Sequence, residues 1–426
     1  MGLLPIFRDF SRLDALLQDH SSEESNVSVV VADILRQVRS GRDDALLRLT
    51  AKYDGVTITS IDASAEQIAL AEAQLSSSLR ESILEAGLNL RRFHQLQLPQ
   101  PYDLEQPDGT LTNWRWRPIE RIGIYVPGGR SPLASSLLMA AIPAQIAGVA
   151  EVSVCTPPQA DGRADPSILG LCSLLGIRQV YGIGGAQAIG ALAYGSETIK
   201  PVHKIVGPGN VYVAEAKAQV SRHVGVDLAA GPTEIVILAD DTANAGWVAA
   251  DLISQAEHDP EATATLFTTD AALAEKVNQH LEMMLPTLAT EETSRTSLES
   301  RGAIYVGADL GDCLKMINRI APEHLSLQIR EARQFAKRCI AGAIFIGHST
   351  PVAWGDYWAG PNHTLPTAGQ ARFRGPLSVL DFLVPYSMIE APMKAIAASG
   401  NTVIELARAE GMAGHALSIN VRMHHE

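Results

Sequence analysis

Apolar positions recur at helical spacing from residue 11 to about residue 97. Val27, Val30, Val31, Ile34, Leu35 and Val38 fall on one stripe, Ile68, Leu70 and Ala71 on another, with Gly41 and Gly55 as interruptions. The front of the chain is therefore expected to be helical. Leu98-Pro99-Gln100-Pro101 ends that pattern, and Thr110 to Trp116 alternates as a strand does. From Arg121 the period changes. Short β-rich runs at 122–126, 151–155, 179–183 and 204–206, then 234–238, 264–267, 303–306 and 343–346, alternate with helical stretches such as 243–257, 270–284 and 309–320. Strands separated by helices at this spacing predict βαβ units and parallel sheets. From about 376 the chain reads as a loop and then helices, a tail too short for its own core.

The expected fold class is α/β, with two Rossmann-like parallel-sheet domains. A helical N-terminal segment covers residues 1–25. The first α/β domain is discontinuous, 26–118 plus 235–375, and the second is 119–234. The tail, 376–426, is left to pack on something outside its own length. In open parallel sheets ligands bind beyond the carboxyl ends of strands, so the loops that follow these strands are where chemistry is sought first.

Charge and composition narrow the function classes. A formal charge of −13 on 426 residues, without a Lys/Arg cluster carrying interleaved aromatics, argues against a nucleic-acid partner. The longest apolar stretch, Leu137 to Ala150, is broken by Pro143 and Gln145 and is too short to span a bilayer, so no membrane partner is expected. Arg8, Asp9 and Arg12 follow closely on Met1, which is not the pattern of a signal peptide, and a cytoplasmic location is expected. Cys155, Cys172, Cys313 and Cys339 show no CxxC spacing, so reduced thiols are expected rather than a cysteine-based zinc site.

Several segments could carry chemistry. Gln255 and His258 lie three apart at the end of a helical stretch and can share a face, although taken alone such a pair is more often an ordinary surface or cap arrangement. Asp356 and His363 stand in a segment dense in Gly, Pro and aromatic residues after a strand, where a stiff loop preorganises ligands. Glu323 and His324 are adjacent, so their side chains diverge and could serve two different protons; a helix terminus with a capping His is the competing reading. Gly182 to Gly190 sits where a dinucleotide-binding turn would, but Gln187 occupies the place of the third glycine. No acidic residue follows the next strand, Lys204 to Val206. Tyr125-Val126-Pro127-Gly128-Gly129 is a strand end whose glycines permit close approach of a ligand.

Taken together these motifs resemble one family. Tyr125 to Gly129, Gly184 to Ile189, Gly207-Pro208-Gly209-Asn210, Ala230-Gly231-Pro232-Thr233-Glu234, Ser254 to His258, Ala321-Pro322-Glu323-His324-Leu325 and Gly355 to Thr367 occur in the order found in histidinol dehydrogenases, nearly end to end. The resemblance implies NAD-dependent, zinc-dependent oxidation of L-histidinol to L-histidine through a retained aldehyde. It places the metal on Gln255, His258, Asp356 and His415, makes His324 the base for the alcohol proton and has Glu323 activate water. It assigns cofactor contacts to Tyr125, Gln187 and Asn210, and substrate contacts to Thr233, His363 and Glu410 beside the metal and catalytic residues. Zinc is the family's metal, and the donor set of two imidazoles and two oxygens would also accept Mn2+ or Co2+. A tail ligand supplied by a partner subunit implies a homodimer with exchanged tails.

Where the family commonly has Ser at the substrate, this chain has Thr233, which keeps open a second reading, a relative acting on another hydroxylated substrate such as a sulfonated diol. Glu410 argues against a sulfonate. Three more distant possibilities are a covalent aldehyde dehydrogenase using Cys155, a metal-dependent hydrolase using Glu323, and a non-enzymatic binding module.

Overall fold

The computed structural model describes residues 2–10, 13, 24–128, 134–227 and 231–424. Gly129 and Ala230 of the sequence motifs, and residues 14–23 of the expected helical front, lie outside these residues. Strand β1 (Ile6–Phe7) opens the chain, and β2 (Tyr102–Glu105) and β3 (Leu111–Pro118) form an antiparallel pair. Strands β4 (Arg121–Tyr125), β5 (Glu151–Cys155), β6 (Gln179–Tyr181), β7 (Lys204–Val206) and β8 (Gly225–Val226) make a five-stranded sheet in the order β6-β5-β4-β7-β8. Strands β9 (Glu234–Ala239), β10 (Thr263–Thr268), β11 (Ala303–Val306), β12 (His324–Gln328) and β13 (Ala343–Ile346) join β1 in a six-stranded sheet ordered β1-β11-β10-β9-β12-β13. Every pairing in both sheets is parallel. Each sheet grows outward from one strand, β4 or β9, and then returns to that strand's other side, which is the doubly wound order.

A parallel sheet must be covered on both faces, and its buried strands read as apolar runs. On one face of the five-stranded sheet, Val31, Ile34, Leu35 and Val38 before, and Leu46 and Leu49 after, a break at Arg42 in the helical segment Glu24–Tyr53 share a core with Ile183, Ile189 and Leu192. On the other, Ile68 and Leu90 from helices Ala65–Gln74 and Ser77–Gln95 join Ile122, Ile124, Leu137 and Ile142. The helical front therefore packs with residues 119–234. The expected grouping of 26–118 with 235–375 does not describe this packing, because the stripes of these helices are used up by the five-stranded sheet.

Two further expectations change. The first residues are not wholly helical, since β1 extends the six-stranded sheet beside β11 and Asn278 holds Leu4 through both its backbone N–H (2.8 Å) and its carbonyl (3.0 Å). The tail begins as the expected loop but does not pass directly to helices, since a short 3-10 turn (Val379–Phe382) and then β14 (Leu383–Glu390), which pairs antiparallel with β3 along its whole length, come between. Pro385 hides this strand from a propensity reading, because proline is tolerated only where the ladder does not need its N–H. Beyond β14, helices Met393–Ala409 and Ala413–Met423 pack on one another through Ile404, Ala407 and Ala416. Among the described residues no helix is long and apolar enough to cross a membrane.

Candidate active site

Helices in βαβ units run back against the strands, so each helix ends at the amino edge of the sheet. That edge of the six-stranded sheet collects the candidate residues. Gln255 lies in the last turn of helix Ala245–Ala256, with His258 just beyond it. Asp356 lies in the short helix Val352–Tyr357, not in a loop as the sequence suggested. Glu323 follows helix Leu310–Ile320, and His324 opens β12 opposite Ile235 of β9. The expectation that loops after the strands would carry this chemistry is thus reversed here: strand beginnings and helix ends carry it.

Thr233 is the junction. Its hydroxyl donates to Glu323 Oε2 at 2.5 Å and accepts from the Gln255 side-chain amide. Glu323 Oε2 also accepts the Glu234 backbone N–H at 2.9 Å, while Oε1 takes no hydrogen bond from the described residues. His324 Nδ1 lies 3.1 Å from the Glu234 carbonyl oxygen, a contact that requires Nδ1 to carry a proton. In the neutral ring Nε2 is then the lone-pair nitrogen. That atom is buried and has no partner among the described residues, and neither has Nε2 of His363. His363 Nδ1 lies 4.0 Å from Asp356 Oδ1. Asn362 fixes this segment by donating to the Met139 carbonyl at 2.6 Å and accepting the Thr364 N–H at 2.9 Å.

The electrostatics are those of a buried ion pair. Burial alone would push His324 down, but the Glu323 carboxylate 3.5 Å from Nδ1, with Asp356 also near, raises its imidazole to about 9. Burial would push Glu323 up; the His324 charge and the bonds from Thr233 and Glu234 outweigh it and hold the carboxyl below its ordinary range. Burial lowers His363. Glu234, which the sequence reading quoted only as part of a motif, is raised to about 7 by burial and by the neighbouring Glu323. Its Oε1 accepts the N–H groups of Glu323 (3.3 Å) and Ala368 (3.0 Å). Position at the first residue of β9 was the available signal, since backbone and side chain there both face the beginning of β12.

The expected cofactor residues lie on the carboxyl edge of the other sheet, where the strand order reverses at β4. Tyr125 ends β4, and its hydroxyl accepts the Gly185 N–H at 3.1 Å. Gln187 is buried in the helix after β6 and donates to Asp54 Oδ2 at 3.2 Å. Asn210 caps the helix after β7, accepting the N–H groups of Tyr212 (3.1 Å) and Val213 (3.2 Å). Gly207 has φ 117°, and a Cβ there would overlap the Tyr125 carbonyl. This turn is clamped from beneath, because Asp227 accepts the Gly207 N–H at 2.7 Å, Lys217 donates to the Gly207 carbonyl at 3.0 Å, and the two form a buried ion pair.

Glu410 and His415 are the exceptions. Both are exposed on the tail, and neither is brought to Gln255, His258 or Asp356. His258 is exposed as well, and among the described residues no three His, Cys, Asp or Glu side chains gather as a metal site. Cys155 is wholly buried at the end of β5 and burial pushes its thiol up, so it offers no thiolate nucleophile.

The sequence profile described as histidinol dehydrogenase matches residues 17–423. The chain is 44% identical over 420 residues to a histidinol dehydrogenase of Bacillus cereus, covering 98% of this chain and 97% of that protein. It is 43% identical over 411 residues to one of Gluconobacter oxydans, covering 96% and 95%. The crystal structure of histidinol dehydrogenase from Elizabethkingia anophelis superposes with a TM-score of 0.93 at 35% identity, covering 99% of this chain and 98% of that one.

Proposed function

The chain belongs to the histidinol dehydrogenase family, and from that premise we propose that it oxidises L-histidinol to L-histidine in two NAD-dependent hydride transfers, with the aldehyde retained between them. The observation that carries the reading is the pair of buried, unpartnered Nε2 atoms of His324 and His363 beside Glu323. With Nδ1 committed to the Glu234 carbonyl, His324 offers Nε2 to the alcohol proton as hydride leaves the adjacent carbon. Glu323, held through Oε2, keeps Oε1 for the water that adds to the aldehyde, and the hydrate then gives up the second hydride. The unpartnered Nε2 of His363 suits a polar group of the substrate. Tyr125, Gln187 and Asn210 stand where a dinucleotide crosses the reversal point of the five-stranded sheet.

The donor chemistry of the proposed ligands, though not their placement within one chain, suits a metal ion. Gln255, His258, Asp356 and His415 offer two imidazole nitrogens and two oxygens without a thiolate, which suits zinc and accommodates Mn2+ or Co2+. Bound there, the ion would supply Lewis acidity toward the substrate alcohol. Asp356, one of the carboxylates whose charge raises His324, would be among the residues holding the ion. His415 and Glu410 are proposed to reach the site of a second copy of the chain, in a homodimer with exchanged tails. Exposed apolar side chains on the tail, Leu406, Met412 and Leu417 among them, support burial against such a copy.

The test is a rise in NADH absorbance with histidinol and NAD, abolished by chelator and restored by zinc. His324→Asn is expected to lower turnover by roughly 10²- to 10⁴-fold while retaining the metal. Near-full activity in that variant would remove His324 from its role. A sulfonated diol assayed in parallel examines the second substrate reading left by Thr233. Activity with the diol alone would replace the histidinol reading.

A further inference from the structure

We infer that Asp54 is the carboxylate that receives the adenosine ribose of the dinucleotide and excludes a 2′-phosphate, an inference that rests on the NAD reading above. In doubly wound sheets an acidic residue commonly ends the second strand and accepts the ribose 2′-hydroxyl. The second strand here, β5, ends in Cys155 and continues through Thr156 to Pro157, so that position is empty of charge.

A carboxylate nevertheless stands there, delivered from elsewhere in the chain. The helix Glu24–Tyr53 ends beside this edge, and Asp54 is its next residue. The geometry is fixed by Gly184. A Cβ at Gly184 would lie 2.6 Å from Pro157 Cγ and 3.1 Å from Asp54 Oδ1, so the carboxylate and the segment just after β5 face one another across a residue that has no side chain.

Asp54 Oδ2 accepts from Gln187, itself one of the proposed cofactor residues, at 3.2 Å, and Oδ1 takes no hydrogen bond from the described residues. Tyr125 senses the same charge. The carboxylate faces no partner cation among the described residues, and the groups around it are neutral: Gln187, Tyr125, Pro157 and the Gly184–Gly185 turn.

Nothing in the folding of the helix explains an acid there. A negative charge just past a helix carboxyl terminus opposes the macrodipole. Burial adds a second cost and raises the acid to about 6. A residue that loses stability on both counts, beside the Gly184–Gly185 turn and Gln187, is placed for a ligand. A ribose diol donates hydrogen bonds to such a carboxylate; a phosphate on the 2′ position is repelled by it.

The experiment compares NAD, NADP and 2′-deoxy-NAD on the metal-loaded enzyme with saturating histidinol. The wild-type enzyme is expected to have a KM for NADP and for 2′-deoxy-NAD about 10- to 100-fold above that for NAD, the range of a hydrogen bond to a charged group. Asp54→Asn and Asp54→Ser are expected to raise the KM for NAD, to narrow its gap to 2′-deoxy-NAD and NADP, and to leave zinc content unchanged. Equal KM values for NAD and 2′-deoxy-NAD in the wild type would overturn the assignment without any variant. So would folded variants that keep the wild-type preference. Reduction of none of the three nucleotides by the wild type would instead defeat the NAD reading itself.

Discussion

At the scale of single residues, the proposed chemistry depends on how few atoms hold the Glu323–His324 dipeptide. Thr233 joins Gln255 to Glu323 through one hydroxyl, and Glu234 holds both members through its backbone and the Glu323 N–H through its side chain. Thr233→Val keeps the shape and deletes the oxygen, leaving a buried amide and a buried carboxylate each short of a partner. Turnover in steady-state assays is expected to fall by at least about tenfold, the scale of one lost buried hydrogen bond. Thr233→Ser is expected to keep turnover and to shift relative KM values among substrates by a factor set by one methyl group, about 1 to 3 kcal/mol at most.

The same ion pair gives a pH signature to the metal-free protein. His324 is raised from 6.5 to about 9, so its contribution is complete below its unfolded value and is lost as pH rises through 9. Glu323 is lowered, so its contribution is present above the ordinary carboxylate range and is lost as pH falls through the folded value. Thermal melts in chelator are expected to decline on the alkaline side between these His324 values. His324→Gln should flatten that limb; an unchanged limb would mean that the imidazole is not ionised in the fold.

At the scale of elements, the clamp beneath Gly207 ties the helix Val211–Val220 to the turn that precedes it. Lys217 and Asp227 have almost no exposed side-chain surface. Lys217→Met leaves a buried carboxylate without its counter-charge and is expected to cost about 3 to 5 kcal/mol in denaturant unfolding. Replacing Asp227 as well should recover part of that loss. A single variant as stable as the wild type would show that the clamp carries no net free energy.

Much of this layer was legible in the sequence. Apolar runs such as Ile235 to Leu238 mark a strand buried on both faces, and the stripe Val31, Ile34, Leu35, Val38 marks a helix with one covered side. Which sheet that helix covers was not legible, because an apolar stripe records that a face is buried and says nothing of its partner. Nor was the edge on which the site forms. Gln255, Glu323 and Asp356 look like scattered residues until the returning helices bring their ends together. Asp54 and Glu234 carry no local signal for a similar reason, since their contacts lie 133 and 89 residues away along the chain.

At the scale of the whole molecule, the described chain leaves His258, Glu410 and His415 exposed, and a second copy is the proposed remedy. Exchange of tails can be read by mixing two inactive variants. A His415→Ala chain carries an intact body, and a Glu323→Gln chain carries an intact tail. After mixed refolding, half of the dimers are heterodimers with one complete site, which should restore about a quarter of wild-type activity. No recovery in verified heterodimers would place body and tail ligands in the same chain.

The pairing of β14 with β3 bears on how such a tail finds its target. Strand β3 ends at Pro118 and β4 begins at Arg121, with only Ile119 and Glu120 between them. The root of the tail is thus laced to a strand that leads, without slack, into the five-stranded sheet, and Ser399 is fastened to Asp108 at 2.7 Å a little further out. A ligand on a floppy tether must search a volume, and its effective concentration falls with the length of the tether. In the proposed dimer, a tail rooted in a sheet has less volume to search. His415 and Glu410 leave the body on a bearing set by a sheet register, so that shifting the register of β14 by one residue would redirect the tail even if every side chain at the active site stayed in place.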